Sequence, residues 1–176
     1  MTGMYGPFVG TRDRRNAMVG KFGIAAVLVA VIALSPAAFA QQTGGTDAEA
    51  KAMLIKAISA VKADKAKALD MFNKGERGFR DRDLYVFCAN ANDGTVVAIG
   101  NPNLKQALGM DIRVGQNSTG KAFGREIYAA MQKPDGQISE VSYVGPTPGK
   151  DDTLDAKVTL VARADDDLGC GVGYYK

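Results

Sequence analysis

The strongest constraint on how this chain can fold is a single change of hydrophobic period at Leu84. Before it, Leu54, Ile58, Val61, Leu69 and Phe72 recur at helical spacing; after it, short runs of apolar residues are separated by turn residues. A capping box of Thr46 and Glu49 opens the first pattern and Lys74-Gly75 closes it, so the sequence predicts one long amphipathic helix over residues 46–74. The second pattern predicts a hairpin of Leu84–Cys88 and Thr95–Ile99 around Asn92-Asp93-Gly94, then three strands at Ile138–Val144, Ala156–Ala164 and Leu168–Tyr175. Between the two groups lie an irregular stretch, Gly100–Ser118, and a second helix over Thr119–Gln132 with Phe123, Ile127 and Met131 on one face. Strands joined as hairpins, with helices set apart from them, indicate an α+β fold in which both helices pack on a five-stranded antiparallel sheet. An irregular connection as long as Gly100–Ser118 is expected to line a site.

Residues 1–40 read as a secretory leader. Arg12, Arg14, Arg15 and Lys21 supply positive charge, Ile24–Leu34 is the apolar run, and Ala38-Phe39-Ala40 offers a small-x-small cleavage site before Gln41. The run is shorter than the roughly 20 residues a spanning helix needs, which favours cleavage over an anchor. Met18 is an alternative start. Asn16 and Ala17 follow Arg14-Arg15 where a twin-arginine address wants a bulky apolar residue, so general secretion is the expected route. Residues 41–46 form a linker and 47–176 a single domain, periplasmic or secreted. With residues 1–40 go four bases and one acid, and the mature domain is neutral. It has no basic stripe to footprint nucleic acid.

Cys88 and Cys170 are the only cysteines, an even number in a compartment that permits oxidation. Spacing alone leaves open whether they form a disulfide or stay as two buried thiols. The sequence contains no histidine, which removes the commonest general base and metal ligand. No catalytic, metal or cofactor site is expected. Gly115–Ala122 imitates a phosphate-binding loop but ends in Ala122 where a magnesium-holding hydroxyl belongs, and Asn117-Ser118-Thr119 is a chance glycosylation match. The clusters Asp151-Asp152-Asp155 and Asp165-Asp166-Asp167 lack calcium-loop spacing and read as turns. Gly169, Gly171 and Gly173 share one face of the last strand, so something approaches the backbone there; the long helix is the expected neighbour. Tyr85 and Phe87 on the first strand, Tyr143 on the third and Arg163 near the end of the fourth are candidates for a small-molecule pocket. The Arg163 fork would suit a carboxylate.

Several segments together resemble a Cache domain of the single, second type: Leu84-Tyr-Val-Phe-Cys-Ala-Asn-Ala-Asn-Asp-Gly-Thr-Val-Val-Ala, Gly100-Asn-Pro-Asn-Leu, Thr119-Gly-Lys-Ala-Phe-Gly and Gly169-Cys-Gly-Val-Gly-Tyr-Tyr-Lys. The resemblance covers about Leu54 to Lys176. It implies a PAS-like fold and an extracytoplasmic sensor of a small molecule, an organic acid or amino acid, with ligand contacts at Tyr85, Phe87, Asn101, Tyr143 and Arg163. Two departures stand out. Ile99 occupies a position before Asn-Pro where members often carry histidine, and the sequence ends at Lys176 where sensory members usually continue into a membrane helix and a signalling module. The expectation is therefore a free periplasmic ligand-binding domain acting through a membrane receptor or kinase. The rival readings are an interaction module that binds no ligand and, less favoured, an enzyme acting on a small metabolite. Amino-terminal sequencing of the exported protein is expected to begin at Gln41; a mature chain beginning near Met18 would contradict the cleavable leader.

Overall fold

A computed structural model describes residues 44–117, 120–146 and 153–176; the leader, most of the linker and Asp151-Asp152 lie outside the described residues. Helices α1 (Asp47–Ala63) and α2 (Lys65–Lys74) come first, and α3 (Phe123–Met131) lies between the two groups of strands. The strands are β1 (Arg80–Asp81), β2 (Leu84–Asn90), β3 (Val96–Ile99), β4 (Ser139–Pro146), β5 (Leu154–Asp165) and β6 (Leu168–Tyr175). All pairs are antiparallel in the order β1-β2-β6-β5-β4, with β3 pairing the far half of β2. The five expected strands are present, and the two-residue β1 is an addition that no periodicity announces.

The long helix is in fact two. Asp64 takes an extended conformation (φ −161°), its N–H bonding back to Ala60 O while its carboxylate accepts from Lys67 N at 3.0 Å. An aspartate that caps a new helix competes with continuing the old one, so a chain free of Gly and Pro still breaks here. Lys65, at the start of α2, pairs with Asp165 at 3.2 Å and with Asp167, tying the break to the β5–β6 turn. Both predicted ends hold: Thr46 and Glu49 bond reciprocally, and Gly75 takes the left-handed conformation (φ 67°) that stops α2. Glu49 also reaches Arg82 at 2.6 Å, and these partners, the Thr46 backbone N–H foremost, hold its carboxyl down to about 2.

The sheet divides the core in two. Ala50, Leu54, Ala57 and Val61 of α1 and Ala68 and Phe72 of α2 cover one face, against Leu84, Val86, Cys88, Val158, Leu160, Ala162, Cys170 and Val172. On the other face Ile127, Ala130 and Met131 of α3 pack on Ala89, Val96, Val141 and Val161, toward the β5–β6 turn. Alternation along β6 places Leu168, Cys170 and Val172 under α1, so Gly169, Gly171 and Gly173 point the opposite way. The expectation that the long helix covers the glycines is therefore corrected.

Cys88 and Cys170 stand directly opposite each other on β2 and β6 and form a disulfide, with Cα atoms 4.1 Å apart and both residues fully buried. It closes a loop spanning 82 residues between the first long strand and the last. The outer edge of β3 is shielded: Asn73 of α2 donates to Val97 O at 3.2 Å and accepts from Ile99 N at 3.0 Å. Val96 N further donates to Met110 O at 2.9 Å in the irregular segment. Replacing both cysteines with alanine is expected to lower unfolding stability by about 2–5 kcal/mol, measured by denaturant titration. Added reductant should bring the unaltered protein toward the same value.

Candidate functional site

The glycine face owes its shape to what each missing Cβ would strike. At Gly169 it would lie 2.3 Å from Met131 Cγ, at Gly171 2.5 Å from the Phe87 ring, and at Gly173 2.7 Å from Lys157 Cε. The three glycines thus admit three occupants: α3, an aromatic ring and a lysine laid flat across the strand. Since α3 stops at Met131 and covers only the turn end, the other half of the face holds Tyr85, Tyr143, Lys157, Thr159 and Tyr175.

Lys157 is 6% exposed, and its ammonium sits 5.1 Å from the centre of the Tyr85 ring and 4.7 Å from that of Tyr175. Nζ approaches the Tyr175 hydroxyl at 3.5 Å, the outer limit of a hydrogen bond. Burial pulls the amine down to about 8, against a smaller upward pull from the Asp83 charge. The phenols are pushed the other way. Burial raises Tyr85 and Tyr143, and Tyr175 rises to about 12 through burial and then the neighbouring Tyr143 and Asp83. At neutral pH the site therefore offers one cation and neutral hydroxyls.

Polar contacts hold these groups in place. Tyr143 OH and Thr159 Oγ1 are 3.1 Å apart, and the Tyr143 ring stacks on Phe123 with centroids 4.1 Å apart. Tyr175 OH donates to Pro146 O at 2.6 Å. Asn101 accepts from Asn103 N at 3.0 Å, capping the 3-10 turn Pro102–Ala107. Lys105 fastens this irregular segment to the scaffold by donating to Ile99 O at 2.5 Å and to Asn73 O at the end of α2.

Of the residues expected to form a pocket, Tyr85, Phe87 and Tyr143 lie on the same face, and Asn101 caps the 3-10 turn that follows β3. Arg163 does not join them. It pairs with Gly169 at the turn end of β5, donating to Asp166 O at 2.7 Å and to Gln132 Oε1 at 3.2 Å. Six residues of strand put it about 20 Å from Lys157. The sequence expectations omit Lys157, Thr159 and Tyr175. Their signal was present as a lysine and a threonine in step with each other on an otherwise apolar strand. The phosphate-loop imitation is preceded by the 3-10 turn Ile112–Val114, not by a parallel strand, and Ser118 and Thr119 lie outside the described residues.

No protein-family model matches this sequence, and no curated protein matches it either. Solved structures do match. A methyl-accepting chemotaxis protein from Vibrio parahaemolyticus superposes with a TM-score of 0.54 at 20% identity, over 73% of this chain and 86% of that one. The periplasmic sensor domain of a chemotaxis protein gives 0.52 at 16% identity, over 72% and 87%. A Cache chemosensory domain, solved to explain carboxylic acid recognition, gives 0.50 at 22% identity, over 72% and 85%. The fold is that of the Cache sensor domains. Among the described residues no helix of this Cache fold is long and apolar enough to cross a membrane.

The buried lysine has a measurable cost. Its folded value near 8 lies below the ordinary 10.5, so between these values the unfolded chain holds the extra proton and stability rises with pH. Lys157→Met is therefore expected to be more stable than the unaltered protein at pH 7, by up to about 3 kcal/mol. The gap should close as pH rises from 8 toward 10, followed by urea unfolding; a gap constant over that range would place the amine in water.

Proposed function

We propose that this domain is an extracytoplasmic receptor for a small carboxylate-bearing metabolite, binding rather than transforming it and acting through a membrane partner. The observation that carries the reading is Lys157, a cation only 6% exposed, walled by Tyr85 and Tyr175 and without a hydrogen-bonded carboxylate among the described residues. A buried charge of this kind is costly until an opposite charge reaches it. The ammonium then supplies the electrostatic term, while the Tyr85, Phe87 and Tyr143 rings give an apolar wall and the Thr159 hydroxyl orients the ligand. The charge is assigned to Lys157 in place of Arg163, whose guanidinium is engaged at the far end of β5. That one structure of the same fold is of a Cache domain recognising a carboxylic acid supports the class of ligand.

A second reading, an interaction module, has its own observation. Leu104, Leu108, Met110 and Val114 are all exposed along the irregular segment, Val114 by 58%. An apolar strip of this kind suits a protein partner.

Thermal unfolding in the presence of acetate, propionate, lactate, succinate and a set of amino acids separates the readings. A ligand confined to the folded state raises the melting temperature with its concentration. At least one carboxylate is expected to do so, with the shift lost in Lys157→Met and kept in Arg163→Ala. A shift lost in Arg163→Ala and kept in Lys157→Met would overturn the assignment, and no shift from any compound would favour the interaction module.

A further inference from the structure

The irregular segment lies directly against the start of α3. A Cβ at Gly124 would stand 1.9 Å from Ile112 O, and Gly124 N donates to Gly115 O at 3.0 Å, so only glycine lets the 3-10 turn Ile112–Val114 rest on the helix. This close approach puts the next residue, Arg125, beside the turn. Between them the two elements form an open cleft of about 440 Å³ lined by Asp111, Arg113, Val114, Gln116 and Arg125.

The two arginines differ in what they have left to give. Arg113 is fixed: Nε bonds Asp111 at 2.9 Å, NH2 donates to Asp93 O at 2.7 Å, and the guanidinium lies 4.9 Å from the centre of the Tyr128 ring. Asp111 offsets its charge. Lys121 is likewise paired, with Glu126 at 3.3 Å. Arg125 is exposed and makes no ion pair among the described residues. The cleft therefore carries one uncompensated positive charge, on a planar fork that matches a carboxylate. Beside it stand aliphatic side chains left in water: Val114, which lines the cleft, and Met110, which immediately precedes Asp111.

Whatever covers this cleft has to bring aliphatic contact and negative charge together. A second copy of the chain fits poorly, because two-fold pairing of so small a patch with itself brings the two Arg125 charges together. An anionic lipid surface gains little, since one free cation falls short of the cluster of about four or more that such docking uses. A protein segment with an Asp or Glu among leucine-like side chains meets both needs at once.

We propose that the cleft between this turn and α3 docks an acidic, aliphatic segment of a protein partner, with a partner carboxylate on Arg125 and apolar side chains on Val114 and Met110. This rests on the reading of the irregular segment as a protein-binding strip and adds the charge that its partner must carry. The test is selection of a random displayed peptide library on the purified protein, followed by fluorescence anisotropy of the recovered peptides. Peptides carrying Asp or Glu next to aliphatic residues are expected, and Arg125→Glu and Val114→Ser should each weaken them about fivefold or more. Both positions are exposed, and the melting transition of each variant checks that it folds. Changing the peptide's acid to lysine should restore binding to Arg125→Glu, a reversal that no loss of structure would produce. Recovered peptides that are apolar but uncharged, weakened by Val114→Ser and not by Arg125→Glu, would overturn the acidic partner and leave the strip standing. Peptides that bind both variants undiminished would place the docking site elsewhere and overturn the proposal, and recovery of no peptide would remove the strip as well. Self-association of the purified protein that Val114→Ser abolishes, followed by sedimentation velocity, would give the face to a second copy and overturn it too.

Discussion

Everything else in this domain hangs on the pairing of β2 with β6. It joins the first long strand to the last, is locked at its middle by Cys88–Cys170, and puts the start of the sheet beside β5 and so beside Lys157. Such a contact is expensive to form, because a long stretch of chain must be closed before any bond rewards it. The disulfide lowers that cost by restricting the unfolded chain, and the apolar residues on its side of β2 and β6 are those that α1 and α2 cover. One strand pair thus settles which face α1 and α2 cover and which face carries the glycines.

The glycine face reflects a compromise between strand strength and the space its neighbours need. A β6 with side chains at residues 169, 171 and 173 would fill the space above the sheet and leave no room for Met131, Phe87 and Lys157. Glycine weakens a strand, yet here it sits on a strand paired on both sides and stapled by a disulfide, where the weakness is offset. The lysine is likewise unfavourable where it lies. Buried groups with a shifted proton affinity cluster at functional sites, which is why the proposed ligand site is centred on Lys157.

Much of the architecture was legible along the chain. The cap at Thr46, the stop at Gly75, the turn at Asn92–Gly94 and the alternation of β4 to β6 are local signals carried by a few neighbouring residues, and each appears where its residues are. The break at Asp64 was not legible. An aspartate inside a helical pattern is tolerated or caps a new helix depending on whether the segment after it has somewhere to dock, and here the ion pairs of Lys65 with Asp165 and Asp167 bind the two ends of the domain together. The place of Arg163 is hidden for a related reason: its bidentate chemistry is apparent from the residue type, but its distance from Tyr85 depends on how far along β5 it falls.

The sequence by itself determined the α+β class, the order of elements, the alternation of faces and the two cysteines available for pairing, because these follow from periods of two and 3.6 and from residue chemistry. Only the tertiary structure decided that the cysteines face each other, that the glycines turn away from α1, and that Lys157 rather than Arg163 lies among the tyrosines. Those facts depend on strand order and register, which are set by contacts between residues far apart in the chain. No local pattern encodes which strand becomes whose neighbour.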